Sequence, residues 1–195
     1  MTAGSVIMLS GPSSSGKTTL AAALQRRFAA DGECWFVYAM DDYFAKLPFD
    51  WVTAGNHVGI HADEGVVLEI VDGVFRMRMG PIGRRVLVAW RGAVACAVRA
   101  GLNVIADDVV LTEDDWRGWQ VELVGLDTHW VRVQIALHLL EARERARSDR
   151  MSGHARSQYE IAYRYPTYDA HVDTGTLDPD AAAAAVCAGW RARPR

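Results

Sequence analysis

The stretch between residues 6 and 20 limits the possible folds of this chain more than any other part of its sequence. An apolar run comes first, glycine, proline and serines follow, and the residues after them favour a helix. Positions 11–18 match the pattern G-x-x-x-x-G-K-[ST] at every defined position. Glycines let the backbone curl so that successive N–H groups face phosphate oxygens. The sequence therefore predicts a phosphate-binding loop between a buried strand and a helix. The alternative is a Gly/Ser turn with a surface lysine.

The predicted phosphate loop gives a role to its polar residues. The helix that begins near Lys17 directs its positive end at the same point. In loops of this pattern the lysine reaches the β- and γ-phosphates and the threonine hydroxyl binds Mg²⁺. We therefore expect a nucleoside triphosphate, ATP or GTP, with Mg²⁺ at this loop, Lys17 as a catalytic cation and Thr18 as a metal ligand. The predicted nucleotide-binding residues of the loop are Gly11, Pro12, Ser13, Ser14, Ser15, Gly16, Lys17, Thr18 and Thr19.

Apolar runs and amphipathic stretches alternate along most of the chain. We predict strands at 5–10, 34–40, 102–106, 129–137 and 168–173, and helices at 17–30, 82–100, 113–123, 139–150 and 178–190. Connections of this length join parallel strands and place helices on both faces of the sheet. The predicted fold is α/β: a three-layer α/β/α P-loop NTPase with a mainly parallel five-stranded sheet, in a single domain over residues 1–195.

A segment at about 45–80 interrupts this alternation. Its first part, up to residue 64, has few regular signals, and its second part reads as a hairpin with a turn at Asp72-Gly73. We expect this small insert to cover the acceptor of the reaction. Most tryptophans of the chain are expected in the core, whereas Trp51 in the irregular part is a candidate for ligand contact.

Paired aspartates follow two of the predicted strands. Asp41 and Asp42 come after the second strand, and Asp107 and Asp108 end the third. Open α/β sheets place their sites at this edge. Asp41 is the candidate catalytic base that takes the proton of an acceptor hydroxyl, with a helix N-cap as the alternative. Asp107 is the candidate metal ligand, although Asp108 or a simple strand-end turn fits the same pattern.

A basic stretch at 143–150 supplies candidate cations for the phosphates. Arg143 and Arg147 are four residues apart, which places them on one face of a helix, and Arg150 is three residues further. Forked guanidinium groups match phosphate oxygens. We predict that all three arginines bind nucleotide and that Arg143 and Arg147 are catalytic. The alternative is a solvated helix face whose arginines pair with nearby acids.

The composition of the chain indicates which classes of partner and which compartment to expect. The 195 residues carry a net charge of −3, which offers no electrostatic surface for nucleic acid. No apolar run is long enough for a membrane span, and the beginning of the chain lacks the features of a signal peptide. Three widely spaced cysteines read as buried thiols of a reducing compartment. We expect a cytoplasmic protein with a small-molecule hydroxyl acceptor, with no nucleic-acid or membrane partner, and with a homo-oligomer possible.

The order of these motifs resembles the chloramphenicol 3-O-phosphotransferase family over nearly the whole chain. The matching parts are Asp41 with Leu47-Pro48, the hairpin at 65–77, Ala100-Gly101 with 104–109, the arginine stretch at 143–150, Gly153, Gln158, Tyr168-Asp169 and 172–174.

The resemblance implies a P-loop kinase-like fold that moves the ATP γ-phosphate to a primary hydroxyl of a drug. It also implies a base at Asp41 and an arginine-bearing lid at about 143–156 that contains Arg143, Arg147 and Arg150. This chain departs from the family in the aromatic turn at 42–44 and in a longer segment at 49–62, so the acceptor stays open. A zeta-toxin-like kinase of a nucleotide sugar and a non-catalytic nucleotide-binding regulator are the alternatives.

Overall fold

A computed structural model describes residues 3–72, 74–147, 151 and 153–193 of the chain. Its strands are β1 (Ser5–Ser10), β2 (Trp35–Ala39), β3 (Val52–Ala54), β4 (Val66–Val71), β5 (Val74–Met79), β6 (Asn103–Asp108), β7 (Asp127–Gln134) and β8 (Ala170–Asp173). Its α-helices are α1 (Lys17–Ala30), α2 (Met40–Phe44), α3 (Pro81–Arg99), α4 (Glu113–Glu122), α5 (Leu137–Arg145), α6 (His154–Gln158) and α7 (Pro179–Ala192). Short 3₁₀ turns lie at Phe49–Trp51 and Ile161–Tyr163.

Five strands form the central sheet in the order β2-β6-β1-β7-β8. Every neighbouring pair in this sheet is parallel. The middle strand β1 is apolar without alternation because helices cover both of its faces. The predicted three-layer α/β/α fold with a parallel five-stranded sheet is therefore confirmed, and the predicted bounds of β1 and α1 match the observed ones.

The two faces of the sheet have different cores. On one face α1 and α7 bury aliphatic side chains together with Phe28, whose ring stacks on Trp35 at 4.3 Å. On the other face α3 and α4 bury a group of tryptophans in edge-to-face contact, in which Trp90 and Trp119 are 4.9 Å apart and Trp119 and Trp130 are 6.2 Å apart. On each face of the sheet the buried side chains form one connected core. This packing holds the carboxyl ends of the strands at fixed positions.

The insert forms a second sheet in the order β3-β4-β5. The predicted hairpin is present, with β4 and β5 antiparallel. The segment before it is less irregular than the sequence indicated, because β3 pairs with β4 in parallel. Three residues are too few to show a strand period, so this pairing depends on the hairpin beside it. Trp51 packs on the ring of His61 at 4.3 Å and lines neither cavity described below.

Several predicted boundaries and one burial prediction need correction. The second strand ends at Ala39 and not at residue 40, and the helix predicted to reach residue 150 ends at Arg145. Cys187 is buried as expected, but Cys34 and Cys96 are exposed. Within the described residues, no helix has the length and apolar character that a bilayer crossing requires.

Candidate active site

The loop between β1 and α1 has the shape that anion binding requires. Gly16 has a φ of 92° and Ser14 a φ of 63°, and these left-handed conformations turn the backbone into a tight curl. A Cβ at Gly11 would overlap the carbonyl oxygen of Val133. The hydroxyls of Ser14 and Ser15 are buried and have no hydrogen-bond partner among the described residues. Buried hydroxyls without partners fit a phosphate group, because its oxygens would accept their hydrogen bonds.

Lys17 is held inside this loop and not in solvent. Its side chain is 8% exposed, and Nζ donates a hydrogen bond to the Pro12 carbonyl oxygen at 2.9 Å. The same ammonium is 3.7 Å from Oδ1 of Asp107. A buried lysine needs such partners to remain charged. The structure thus places the predicted cation on the loop that would hold the phosphates.

Thr18 and Asp107 meet at the carboxyl edge of the central sheet. The Thr18 hydroxyl donates to Oδ2 of Asp107 at 2.7 Å. Mg²⁺ prefers oxygen ligands, and it is usually held by one or two protein groups together with phosphates and water. No group of three or more acidic, histidine or cysteine side chains that could enclose a metal occurs in the described residues. The oxygen pair on Thr18 and Asp107 therefore fits a magnesium ion that phosphate also ligates.

Asp108 faces the opposite side of β6 from Asp107. Its Oδ2 accepts from the indole N–H of Trp119 at 2.6 Å, and its Oδ1 accepts from the backbone N–H of Val109 at 2.6 Å. Burial raises the pKa of the Asp108 carboxyl to about 6, even though these hydrogen bonds act in the other direction. Of the two aspartates that end β6, Asp107 is therefore the one beside Thr18.

The strand before Asp41 ends one residue earlier than predicted, so Asp41 does not follow it directly. β2 ends at Ala39, and Asp41 is in the first turn of α2. Its side chain is exposed and lines a cavity of about 670 Å³ that also contains the phosphate loop. The N-cap of α2 is Ala39, so Asp41 does not have the capping role that the sequence allowed as an alternative. The carboxylate and the loop line the same cavity.

The candidate arginines lie beside the loop, although not on one helix face. Arg143 donates to Oγ1 and to the carbonyl oxygen of Thr174 at 3.2 and 2.6 Å. A Cβ at Gly16 would be 3.3 Å from Nη1 of Arg143. Arg147 lies beyond the end of α5, so helical spacing does not relate it to Arg143. Both arginines nevertheless line a second cavity of about 330 Å³ on the other side of the loop. Arg150 lies outside the described residues.

A buried carboxylate fixes the end of the lid segment. Glu144 on α5 is 5% exposed and accepts from the backbone N–H groups of Gly153 and Ala155 at 2.8 and 2.6 Å. These groups begin α6, so Glu144 joins the two helices that border residues 146–153. From its sequence position Glu144 is only one of the acids near the arginines of 143–150. Its role depends on residues nine and eleven positions away, which no helical pattern indicates.

Two further residues that line the cavity, Gln158 and His154, were not predicted as site residues from the sequence. Gln158 accepts from the backbone N–H of Ser13 in the phosphate loop at 2.8 Å, and its amide nitrogen is 2.8 Å from Nε2 of His154. His154 stacks on Phe75 of the insert at 4.1 Å. Gln158 is 145 positions from Ser13, so only the fold brings them together.

The larger cavity has two chemically different ends. Near the loop it is lined by Lys17, Thr18, Asp107 and Arg147, which are charged or polar. At the other end apolar side chains from α2, the segment after it and the small sheet form the wall. They are Met40, Phe44, Leu47, Phe49, Val52, Val66, Leu68 and Met77. Asp41 and Asp42 line the same cavity. The arrangement can hold a phosphate at one end and an apolar molecule at the other.

Solved structures share this architecture. The Mycobacterium tuberculosis APS kinase CysC, in complex with AMPPNP and APS, is 17% identical and has a TM-score of 0.67, with 98% of this chain and 100% of that chain covered. A gluconokinase from Sinorhizobium meliloti 1021 is 16% identical with a TM-score of 0.61, covering 98% and 94%. The Deinococcus radiodurans tunicamycin resistance protein is 17% identical with a TM-score of 0.62, covering 95% and 94%. At these identities the likeness establishes a P-loop kinase fold.

Sequence relatives establish the family. The family model described as chloramphenicol phosphotransferase-like protein matches residues 4–191. Two strains of Mycobacterium tuberculosis, H37Rv and CDC 1551, have a curated relative that bears the name "Putative O-phosphotransferase". It is 31% identical over 180 residues, which cover 89% of this chain and 76% of the relative. The chain therefore belongs to the chloramphenicol phosphotransferase-like family and is a phosphotransferase that acts on a hydroxyl group of a small molecule.

Proposed function

We propose that this enzyme transfers the γ-phosphate of ATP directly to a hydroxyl of an apolar molecule the size of an antibiotic, with chloramphenicol as the favoured example. The observation that supports this most is the shared cavity, in which the phosphate loop and the Asp41 carboxylate line one space of about 670 Å³. A space of that size takes a small-molecule substrate in addition to a phosphate group. Phosphoryl transfer needs this juxtaposition of a phosphate site and a group that orients the attacking oxygen.

The phosphate loop and the arginines form the proposed donor site. The triphosphate contacts the backbone N–H groups of the loop, the Ser14 and Ser15 hydroxyls and the Lys17 ammonium, and the nucleoside extends into the second cavity beside Arg143. When bound, Mg²⁺ on Thr18 and Asp107 supplies positive charge to the phosphate oxygens. Arg143 and Arg147 stabilise the charge that develops on the equatorial oxygens during transfer.

Asp41 is the proposed catalytic base. Its carboxylate accepts a hydrogen bond from the acceptor hydroxyl, which orients the oxygen toward the γ-phosphorus. As the new P–O bond forms and the bond to the β-phosphate oxygen breaks, the hydroxyl proton passes to Asp41. The products are a phosphate ester and ADP.

The chemistry of the wall favours an uncharged apolar acceptor over a nucleotide sugar. A nucleotide sugar carries a diphosphate, which needs cations of its own at the acceptor end. Among the described residues that line the larger cavity, the cationic groups are Lys17 and Arg147, and both lie with the donor phosphates in this proposal. Burial of apolar surface against the wall would supply most of the affinity for the acceptor.

A purely regulatory nucleotide-binding protein is the less favoured alternative. Such a protein needs neither a carboxylate opposite the phosphates nor a cavity for a second substrate. The presence of Asp41 and of the apolar wall in one cavity with the loop favours an enzyme. ATP and Mg²⁺ are abundant in the cytoplasm, which is the compartment we propose for it.

An acceptor screen tests the proposal. The purified protein is incubated with ATP, Mg²⁺ and a panel of alcohols that includes chloramphenicol, other antibiotics, nucleosides and a UDP-sugar. ATP consumption is recorded, and the product is identified by mass spectrometry as the acceptor with one added phosphoryl group. We expect a phosphorylated apolar alcohol in the wild type and far less of it in Asp41→Asn after the same time. Phosphorylation of the UDP-sugar alone would establish the alternative kinase, and nucleotide binding without any product would favour the regulator.

A further inference from the structure

Helix α6 connects the phosphate loop to the small sheet that forms part of the acceptor wall. Gln158 at its end contacts the loop, and His154 at its beginning contacts Phe75 on β5. Both His154 and Gln158 line the larger cavity. The two ends of a five-residue helix therefore join parts of the site that belong to different sheets.

The hydrogen bonds along this connection have one consistent direction. The Ser13 N–H donates to Oε1 of Gln158, which fixes the orientation of the side-chain amide. The amide nitrogen of Gln158 must then donate to Nε2 of His154 at 2.8 Å. A ring nitrogen that accepts carries no proton, so this arrangement requires the tautomer of neutral His154 with its proton on Nδ1. Reversal of the amide would leave two donors facing each other at Ser13.

The connection is buried at both ends. Gln158 and Phe75 are each 6% exposed. The His154 and Phe75 rings are nearly parallel, with an angle of 22° between their planes, so a shift of β5 displaces the imidazole. Leu68 and Met77 of the same hairpin line the cavity. A change in the position of the hairpin therefore reaches the Ser13 amide through two side chains.

We propose that His154 and Gln158 are positioning residues that couple nucleotide binding to the packing of the hairpin β4–β5. Nucleotide in the loop fixes Ser13, the bond to Gln158 fixes the imidazole, and the imidazole holds Phe75 and β5. By thermodynamic reciprocity, a hairpin ordered by an acceptor favours the nucleotide-binding form of the loop. This inference depends on the proposed function for its acceptor, but its test does not use one.

Hydrogen exchange with a non-hydrolysable ATP analogue tests the coupling. AMPPNP and Mg²⁺ are added to the full chain, binding is measured by calorimetry, and amide exchange of residues 74–79 is followed by mass spectrometry. Coupling of the usual strength corresponds to a change of about fivefold or more. We therefore expect nucleotide to slow exchange in β5 by about that factor in the wild type, because exchange reports local opening.

Three variants separate the connection from general stability. Phe75→Leu removes the ring stack but keeps an apolar side chain and the Gln158–Ser13 bond. It should bind AMPPNP and lose the nucleotide-dependent slowing in β5. Gln158→Leu should lose the slowing and also weaken nucleotide binding. Tyr159→Phe is the matched control, since it deletes the neighbouring hydrogen bond to the Ile135 carbonyl oxygen and should behave as the wild type.

The outcomes distinguish the coupling from the proposed function. Nucleotide binding without slowed exchange in wild-type β5 would overturn the coupling and leave the phosphotransferase proposal intact. Equal slowing in the wild type and Phe75→Leu would also overturn the coupling. Absence of AMPPNP binding in the wild type would overturn the proposed donor site and the coupling with it.

Discussion

The two ends of the larger cavity differ in how they are built. The donor end comes from the central sheet and the loop after β1, and its central ion pair is buried: Lys17 is 7% exposed, Asp107 is 8% exposed, and 3.7 Å separates the ammonium from the carboxylate. The acceptor end comes from α2, the segment after it and the small sheet. There Asp41 is exposed, and Phe49 is 71% exposed.

This difference indicates which part of the reaction the fold determines. A change at the donor end breaks contacts among buried charged groups, so the phosphate chemistry cannot vary without loss of the site. A change at the acceptor end alters an apolar surface that is mostly half-buried or exposed, so it costs folding less. Nucleotide use therefore follows from the fold, whereas acceptor choice depends on the side chains of a peripheral wall.

The largest effect on turnover is expected from substitution of the proposed base Asp41. This change should slow the chemical step without changing nucleotide binding. Asp41→Asn keeps the size of the side chain but cannot take a proton. Turnover should fall by about 10²–10⁴-fold, while AMPPNP affinity measured by calorimetry stays near that of the wild type. The control Asp42→Asn changes an adjacent carboxylate and should keep most of the activity. Near-normal turnover in Asp41→Asn would remove this residue from the mechanism.

A slightly smaller effect on rate is expected at the donor end, but it should extend to binding. Lys17→Ala removes the cation that lies between the Pro12 carbonyl and Asp107. We expect turnover to fall by about 10²–10³-fold and the affinity for ATP to fall with it, as measured by steady-state kinetics and calorimetry. If both quantities stayed unchanged, the loop would not be the phosphate site.

An intermediate effect is expected at Asp108, which lies between the two ends of the cavity. Ionisation of its carboxyl should make the stability of the protein depend on pH. Its carboxyl has a pKa of about 6 in the folded chain against an ordinary value of 3.8. As pH rises from about 4 to about 6, the unfolded chain loses this proton before the folded chain does. Ionisation of Asp108 therefore lowers the free energy of unfolding, by roughly 3 kcal/mol.

Urea unfolding of the wild type and Asp108→Asn across this pH range measures that contribution. The stability of the wild type should decline relative to the variant between pH 4 and 6, and the difference should be constant above that range. Asp114→Asn, which changes an exposed residue on α4, should follow the wild type. Parallel curves for all three proteins would show that Asp108 has an ordinary pKa in the folded chain.

The smallest effect is expected at the acceptor wall and should change acceptor binding much more than ATP binding. Met77→Ala removes apolar surface from the cavity, so the KM for the acceptor found by the screen should rise by about tenfold. The KM for ATP should change much less, because Met77 lines the apolar wall and would act on the loop only through the hairpin packing described above. Val74→Ala is the matched control on the same strand, since Val74 is 55% exposed and lies outside the cavity lining. An equal change in both KM values would contradict the separation of the two ends.

The same contrast explains what could be predicted from the sequence. The proposed donor residues could be predicted because a local pattern sets the loop after β1, and because the parallel strand β6 brings Asp107 to the edge where Thr18 begins α1. Gln158 and Glu144 were missed because their partners are fixed by tertiary packing and neither residue type has a motif. The strand β3 was missed because its pairing with β4 depends on the hairpin. The prediction that Arg147 shares a helix face with Arg143 was wrong because α5 ends before Arg147.

A crystal structure with Mg²⁺ and AMPPNP tests the central claim most directly. We expect the terminal phosphate to lie against the backbone amides of residues 11–18 and Mg²⁺ to lie beside Thr18 and Asp107. We also expect the Asp41 carboxylate to face that phosphate across a gap wide enough for one alcohol group. A nucleotide bound elsewhere, or an Asp41 side chain turned away from the terminal phosphate, would contradict it.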